Sequence, residues 1–482
     1  LFLCAGILTP KEMLEGFSNK GMITVALLFL VSEGIRQSGT LGQVIKKLLP
    51  QGKTTVFKAQ LRILPSVAFI SAFLNNTPVV VIFAPIIKHW AKSVNLPATK
   101  FLIPLSYVTI LGGICTLIGT STNLVVHGMI LEAGFEGFSM FELGKVGIFI
   151  AIAGIIYIFL FSKRLLPDAR PDTAVPDEEV EEGEKLHRVE AVLGARFPGI
   201  NKKLKDFNFQ RHYGAEVKEI KTRNGQRFVT NLDDVVLHEG DTLVVMADDT
   251  FIPTWGESSV FVLLTNGNEP DTTGKKKRWF ALLLLVLMIV GATVGELPVT
   301  KEMFPDIKLD MFFFVSITTI IMAWTNLFPA RKYTKYISWD ILITIACAFA
   351  ISKAMVNSGV ADSVAKFIIG LSDDYGPHVL LAMLFIITNL FTELITNNAA
   401  AALAFPLALS IASQLGVSPT PFFVVICMAA SASFSTPIGY QTNLIVQGIG
   451  NYKFTDFVRI GLPLNIITFL ISIILIPLIW NF

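Results

Sequence analysis

Hydrophobic runs recur along the chain and are separated by short polar breaks. A run of about 20 apolar residues crosses a bilayer as a helix. The clear runs lie at Met22–Val31 (extended to Ile35), Val146–Phe161, Phe280–Thr293, Met311–Trp324, Ile341–Ala354 and Ile460–Trp480. Others are shorter or are interrupted by Gly, Pro and Asn: Ile63–Phe83, Phe101–Ile118, His378–Ile395, Ala399–Ala412 and Phe422–Ser433. This pattern predicts an all-α polytopic membrane protein.

One polar block divides the hydrophobic runs into two groups. Residues 1–165 and 276–482 are hydrophobic, whereas residues 166–275 open with an acidic, Pro-containing stretch. Within the block, Val217–Ile220, Val235–Leu237 and Thr242–Met246 have strand patterns, and residues 223–226 read as a turn. We therefore expect two membrane parts with a small α+β domain inserted between them.

Basic residues flank the polar block on both sides. Lys163 and Arg164 precede it, and residues 275–278 (Lys-Lys-Lys-Arg) follow it. Lys and Arg are enriched beside helix ends on the cytoplasmic side of membrane proteins. The inserted domain is therefore predicted to be cytoplasmic, in a protein of the cell (inner or plasma) membrane surrounded by lipid.

Three stretches of the first hydrophobic part recur in the second. Residues 16–39 match 336–359, residues 116–128 match 436–448, and the Asn-rich residues 75–77 match 396–398. In the last pair a proline follows nine residues after the middle Asn, at Pro85 and Pro406. Internal repeats of this kind are typical of transporters, whose sites lie at the interface of the halves near the bilayer midplane. We expect the halves to be inverted.

Two polar triplets interrupt apolar segments at matching places. They are residues 75–77 (Asn-Asn-Thr) and 396–398 (Thr-Asn-Asn). Asn and Thr side chains compete for backbone hydrogen bonds, so each triplet predicts a helix break and a re-entrant hairpin tip. Oxygen atoms at such a tip suit Na⁺, and the N-termini of half-helices suit an anion.

Polar loops at residues 119–123 and 439–443 form a second matching pair. We expect helices unwound there to complete each cation site, although one such cluster alone is equally consistent with polar contacts between packed helices. No basic residue lies beside the tips, so the anion's charge is expected to be balanced by helix dipoles and coupled cations. Glu393 is a candidate proton or cation ligand, with a structural hydrogen-bonding role as the alternative.

Composition excludes several other classes of protein. Charged residues make up 16% of the chain, against about 25% in soluble proteins. The net charge of +2 gives no sign of nucleic-acid binding, and the four cysteines and six histidines have no pairing, catalytic or metal-binding spacing. No enzyme motif is present. The chain begins at Leu1 inside an apolar stretch, which predicts that an N-terminal piece is absent.

At the two triplets and their downstream prolines, the sequence resembles the divalent anion/sodium symporter family. That family repeats a Ser-Asn-Thr motif at the tips of two hairpins. The resemblance implies a homodimer of inverted-repeat protomers that work by an elevator motion. Asn75 stands where the family has Ser, and Asn398 where it has a Thr that helps to hold substrate carboxylate, which weakens a dicarboxylate assignment.

The resemblance also implies roles for individual residues. One set would bind Na⁺ and the other would line the anion. The implied Na⁺ ligands are Asn75, Asn76, Gly119 and Asn123 at one site, and Thr396, Asn397, Thr436, Gly439 and Asn443 at the other. The implied anion-lining residues are Asn76, Thr77, Thr122, Asn397, Asn398 and Thr442.

The polar block resembles the C-terminal ligand-binding (TrkA-C, or RCK-C) domain of potassium-uptake regulators. The matching stretches are residues 211–217 and 240–243. Members of the symporter family that carry such an insert are associated with inorganic sulfate, so sulfate is the expected substrate. The insert is expected either to bind a small cytosolic effector or to act as an interaction module.

Three other readings stay open. One is a proton-coupled exporter or exchanger, of the arsenite or Na⁺/H⁺ type, for which Glu393 and, less well, Glu33 are candidate carboxylates. Another is a dicarboxylate symporter. The third is a gated anion channel whose inserted domain acts as the gate.

Overall fold

The structure is a computed structural model that describes residues 2–168, 186–194, 196–222, 226–248, 251–255, 260–265, 275–303, 307–370 and 376–482. The acidic residues 169–182 and the turn residues 223–225 that the sequence singled out lie outside the described residues.

The part of the chain before the polar block is helical. Polar side chains cap several of its helices; Asn19 Oδ1, for example, accepts the Gly21 N–H at 2.8 Å. The helices are α1 (Pro10–Glu15), α2 (Lys20–Gln37), α3 (Thr40–Leu48), α4 (Val56–Ser71), α5 (Asn76–Ser93), α6 (Leu102–Gly113), α7 (Ser121–Glu132) and α8 (Gly144–Leu165).

A five-stranded antiparallel sheet follows, which we call the sheet domain (187–265). Its strands lie in the order β3-β2-β4-β1-β5. The elements are β1 (His187–Leu193), α9 (Phe209–Tyr213), β2 (Glu216–Lys221), β3 (Arg227–Phe228), β4 (Thr242–Ala247), α10 (Phe251–Trp255) and β5 (Phe261–Thr265). The predicted strand at Val235–Leu237 was wrong, because this segment makes only an isolated bridge between Val236 and Lys203.

Helices again form the rest of the chain. They are α11 (Lys275–Gly295), α12 (Pro298–Met303), α13 (Met311–Trp324), α14 (Tyr333–Tyr336), α15 (Trp339–Asn357), α16 (Val360–Gly370), α17 (Gly376–Leu394), α18 (Asn397–Leu415), α19 (Thr420–Ser431), α20 (Gln441–Gly450) and α21 (Phe454–Ile479).

Six stretches of helix among the described residues are long and apolar enough to cross a membrane, and a bent pair near residues 330–357 makes a seventh. The 14-residue helix α13 is too short to span alone, although the sequence predicted a clear span there. Conversely, α17 and α18, which read as interrupted in sequence, each reach 19 residues because the break falls between them.

Two spanning helices carry apolar stripes on their exposed surface. On α8 the stripe includes Ile148, Ile152 and Ile156, and on α21 it includes Leu462, Ile466 and Leu470. Residues four apart lie on one face of a helix, so each stripe forms a continuous apolar surface. Water would oppose this exposure and lipid would not. The opposite faces of α8 and α21 pack against each other.

Helices at equivalent positions of the repeat pack in equivalent pairs. Helix α5 packs on α20, and its counterpart α18 packs on α7, the counterpart of α20. Likewise α4 packs on α6 as α17 packs on α19. The repeat found in the sequence therefore corresponds to repeated contacts in three dimensions.

Candidate functional site

The chain leaves the helical conformation at both polar triplets. Helix α4 ends at Ser71 and α5 begins at Asn76, while α17 ends at Leu394 and α18 begins at Asn397. Asn75 and Thr396 occupy the extended positions before α5 and α18. We call these turns the first tip (72–77) and the second tip (395–398).

Each tip is bonded to the N-terminus of a helix in the other half of the chain. The Thr77 hydroxyl donates to Gln441 Oε1 at 3.3 Å, and the Ser121 hydroxyl donates to Asn398 Oδ1 at 3.1 Å. Thr77 and Asn398 are equivalent in the repeat, as are Ser121 and Gln441, so the two bonds are counterparts. The first tip therefore contacts the start of α20, and the second tip contacts the start of α7.

Thr120 and Tyr440 lie at the centre of this arrangement. They are equivalent in the repeat, 320 residues apart, and their hydroxyls are 2.8 Å from each other. Equivalent positions of the two halves therefore meet directly at this contact. The Tyr440 hydroxyl also lies 2.7 Å from the Asn76 amide.

Asn76 is fully enclosed in polar contacts. Its amide satisfies all its neighbours when Oδ1 accepts the Tyr440 hydroxyl and Nδ2 donates to Thr109 O at 3.0 Å and to Ser71 Oγ at 2.8 Å. Its side chain is 1% exposed. In the second tip, Asn397 Nδ2 donates to Thr122 Oγ1 at 2.7 Å. Asn76 and Asn397 therefore each contact a side chain from the other half of the chain.

The loops before α7 and α20 are held by matching bonds. The Thr116 hydroxyl donates to the Ala72 carbonyl, and the Thr436 hydroxyl donates to the Glu393 carbonyl at 3.1 Å. Asn123 Nδ2 donates to Thr116 O at 2.9 Å. Its counterpart Asn443 donates to Thr436 O at 3.1 Å, so the same backbone frame is built twice.

Gly119 and Gly439 lie where oxygen atoms crowd together. A Cβ added at Gly119 would stand 2.6 Å from Gly113 O and 2.9 Å from Ala72 O. A Cβ at Gly439 would collide with Thr392 O and Ser433 Oγ. Nearby, the buried Asn123 Oδ1 accepts no hydrogen bond from any residue that the structure describes. Amide, hydroxyl and carbonyl oxygens are the ligands of hard cations, so this donor set fits Na⁺.

A carboxylate distinguishes the second tip from the first. Glu393 accepts hydrogen bonds from Ser435 N at 2.9 Å and Asn465 Nδ2 at 2.8 Å. Ala72 stands at the equivalent place in the first tip. Within the described ranges, no Lys or Arg forms an ion pair with Glu393.

The structure brings most of the predicted anion-lining residues together, but not all of them. Asn76, Thr77, Thr122, Asn397 and Asn398 meet at the interface of the halves. Thr442 was also predicted to line the anion; in the structure its hydroxyl accepts from Ser106 Oγ at 2.9 Å, and Asn443 Oδ1 accepts from the same hydroxyl at 2.7 Å. Both residues anchor α20 to α6.

The predicted cation ligands lie around the two tips. Asn75 and Asn76 belong to the first tip, and Gly119 lies against the Ala72 carbonyl of that tip. Asn123 holds the loop that contains Gly119 through its bond to Thr116 O. The Thr396 hydroxyl accepts Ala399 N–H at 3.4 Å, which caps α18, so its side-chain oxygen is already engaged. Asn397 belongs to the second tip, while Thr436 and Gly439 lie against the backbone of Glu393 and Thr392 just before it.

Sequence reasoning missed Tyr440 and Gln441 as site residues. Both lie inside the loop 439–443 that the sequence did single out. Their positions match Thr120 and Ser121 of the first half. The larger polar side chains in the second copy alone could have identified Tyr440 and Gln441 as site residues.

The cluster at the tips carries little formal charge. No Lys, Arg or His of the described residues hydrogen-bonds to its side chains. Nor does any group of three His, Cys, Asp or Glu residues within that part of the chain form a metal-binding cluster. The site is therefore built from neutral amides and hydroxyls, with Glu393 at one side.

Comparison with known proteins gives consistent relatives. The profile of the family described as "Citrate transporter" matches residues 1–408 and 307–481. An uncharacterized transporter of Synechocystis is 30% identical, over 100% of this chain and 92% of its own length. The putative sulfur deprivation response regulator of Chlamydomonas reinhardtii is 28% identical, over 98% and 95%.

A third relative carries a transport activity in its name. Sodium/sulfate cotransporter 2 of Chlamydomonas reinhardtii is 31% identical, over 58% of this chain and 31% of its own length. The family profile covers more than half of the chain, and several apolar helices long enough to span a bilayer agree with it. The chain is a membrane protein that belongs to the citrate transporter family.

Proposed function

We propose that this protein is a secondary active transporter that carries a small divalent anion, sulfate, into the cell together with Na⁺. The observation that carries the proposal is the meeting of the two tips, where Asn76, Thr77, Asn397 and Asn398 face one another across the interface of the halves. Relatives named sodium/sulfate cotransporters support the choice of ions.

The chemistry of the site favours a symport in which cations travel with the anion. Hydroxyl and amide N–H groups at the tips donate to sulfate oxygens, and the N-termini of α5 and α18 add positive dipole ends. These groups leave most of the anion's charge uncompensated. Bound Na⁺ near Gly119 and near Gly439 would supply the remaining positive charge, so that anion and cations bind together.

Transport requires the interlocked tips to face each side of the membrane in turn. The family resemblance and the repeated contacts support inverted halves whose hairpins α4–α5 and α17–α18 move as one body, in an elevator motion within a homodimer.

The sheet domain is proposed to lie in the cytoplasm. The basic residues before and after it support this orientation. Its resemblance to ligand-binding domains of potassium-uptake regulators supports a role in feedback control by a small effector. A ligand screen on the full-length protein tests this role, and variants in the sheet domain should change effector response and leave the affinity for sulfate unchanged.

Uptake into proteoliposomes tests the proposed function. The purified protein is reconstituted, and radiolabelled sulfate uptake is compared under an inward Na⁺ gradient and an equal K⁺ gradient. Saturable uptake with Na⁺ only is the expected result. Succinate, citrate, thiosulfate and molybdate are then added as competitors, and sulfate analogues should compete better than carboxylates.

Other outcomes identify the alternatives. Uptake that follows a proton gradient and ignores Na⁺ would favour a proton-coupled exchanger using Glu393. Competition dominated by succinate would favour a dicarboxylate symporter. A steady ohmic current without saturable uptake would favour a channel.

A further inference from the structure

One face of the sheet domain is buried against the membrane part. Side chains of a strand alternate between its two faces. On β1, Val189, Ala191 and Leu193 belong to the domain's own core, whereas Val192 packs into the hydrophobic core of the membrane part. Glu190 lies on that same outer face. The sheet therefore has a core face and a docking face.

An ion pair joins this docking face to a site helix. Lys88 on α5 donates to both carboxylate oxygens of Glu190, at 2.8 and 2.9 Å. Lys221, which is 3% exposed, stands 3.4 Å from the same carboxylate. Burial raises the pKa of Glu190, but Lys88 and Lys221 outweigh it and hold the pKa at about 2. The carboxylate is thus charged at neutral pH, and a partly buried pair of this kind loses favourable electrostatic energy when its members separate.

A second contact joins the docking face to α20. The backbone of Gly240 has φ +84°, and a Cβ there would stand 2.6 Å from Leu444 Cδ1. A Cβ at Gly448 would stand 2.6 Å from Thr242 Oγ1 and 3.4 Å from Val192 Cγ2. Glycines at 240 and 448 therefore permit the loop before β4 to press directly onto α20.

The two helices under the docking face also carry the site. Helix α5 begins with Asn76 and α20 begins with Gln441, and the two helices pack against each other. Lys88 lies twelve residues beyond Asn76, which is about 18 Å along a helix. The sheet domain thus contacts one helix from each half of the chain, α5 and α20.

We propose that the docking face (Glu190, Val192, Gly240 and Thr242) is a permanent interface with α5 and α20, so that the sheet domain belongs to the body that carries the tips. The domain then travels with that body throughout the transport cycle. A signal received by the domain reaches the tips through α5 and α20 without undocking. The inference rests on the proposed function for its transport readout only.

Cross-linking across the interface tests the proposal. Thr242→Cys and Gly448→Cys are introduced together, after the exposed Cys4 and Cys347 are replaced by Ser. The short separation between position 448 and the Thr242 side chain suits a disulfide. We expect the cross-link to form in the full-length protein, as read by mass spectrometry of the linked peptides. Failure to form it would overturn the interface.

Transport by the cross-linked protein gives the second readout. Uptake by the cross-linked protein should stay within about twofold of uptake by the reduced protein, because a domain that stays docked throughout the cycle is not hindered by the disulfide. Uptake that oxidation abolishes and reductant restores would show that the domain must undock, which would overturn the proposal. The unmodified protein is assayed first, so an absence of sulfate uptake there is assigned to the proposed function and not to the interface.

A charge exchange tests the interface independently of transport. Lys88→Glu should slow cross-linking about tenfold or more, because it places two carboxylates together in a partly buried site. Adding Glu190→Lys should restore part of the rate, because the introduced lysine pairs with the introduced glutamate but also faces Lys221. Lys92→Glu, on the same helix but exposed and outside the pair, is the matched control and should leave the rate unchanged. An unaltered rate in Lys88→Glu would contradict the proposed contact.

Discussion

The two tips share one backbone frame and differ in the side chains placed on it. In both, a Thr hydroxyl donates to the backbone carbonyl of an equivalent residue: Thr116 to Ala72 and Thr436 to Glu393. An Asn side chain then donates to the backbone carbonyl of that Thr. The frame positions each tip and tolerates little change. The side chains on the frame are freer to differ.

Three of the differences place a larger or charged group in the second half. Glu393 stands where the first half has Ala72, Tyr440 where it has Thr120, and Gln441 where it has Ser121. The shared frame creates two similar oxygen-rich sites, so we expect these three residues to contribute to differences in function between them. Substitutions that remove or copy the differences test this conclusion.

The largest effect is expected where the two tips agree. Asn76→Ala removes an amide that joins Ser71, Thr109 and Tyr440 and that is proposed to line the anion. We expect uptake to fall about 100-fold or more, since a hydrogen bond to a charged group contributes about 1.5–3 kcal/mol. Asn397→Ala should behave alike. Uptake is measured with folding checked by thermal unfolding, and Asn357→Ala, outside the cluster, is the control. Near wild-type uptake in either tip variant would remove these residues from the site.

Glu393→Gln should give the next largest effect. It removes the charge that only the second tip has and keeps an oxygen acceptor. We expect the Na⁺ concentration for half-maximal uptake to rise about tenfold, as a partly buried opposite charge contributes about 1–2 kcal/mol. Uptake is measured against Na⁺ concentration at fixed sulfate. An unchanged Na⁺ dependence would restrict Glu393 to the structural bonds with Ser435 and Asn465.

Tyr440→Thr makes the centre symmetric with Thr120. The Asn76 amide then loses its hydroxyl partner, and the KM for sulfate should rise about fivefold, in line with about 1 kcal/mol for one buried hydrogen bond. The turnover rate should change less. Tyr452→Phe removes a buried tyrosine hydroxyl far from the tips and should keep the wild-type KM. Equal KM effects in both variants would point to a general loss of packing.

Gln441→Ser, which copies Ser121, should have the smallest effect. The Gln441 side chain is exposed and its bond with Thr77 is long, at 3.3 Å. A change of about twofold in KM follows from a contribution near 0.5 kcal/mol. Competition assays with molybdate and succinate check whether anion preference shifts as well. A larger loss than in Tyr440→Thr would reverse the assigned order.

Much of the membrane part could be predicted from sequence because lipid demands apolar length. Helices α8, α11 and α21 lie where hydrophobic runs indicated them. The length of α13 was misjudged because the composition of an apolar run does not show where the helix begins and ends. Asp310 caps the start of α13, and Asn326, just after its end, has a positive φ.

The site was predicted in part for a similar reason. Adjacent Asn and Thr side chains inside an apolar segment need hydrogen-bond partners, so the two tips could be identified from the sequence. Tyr440 was not identified, because an aromatic residue in an apolar segment reads as packing. The anchoring of Thr442 by Ser106 depends on a helix contact that sequence separation of more than 300 residues conceals.

The contact between Thr120 and Tyr440 depends on both halves being parts of one chain. In a dimer of identical half-length chains, this position would face its own copy, and two tyrosines would compete for the space of one. Positions 120 and 440 are encoded separately here, so one carries a small hydroxyl side chain and the other a large one. The single polypeptide therefore permits a centre whose two sides differ.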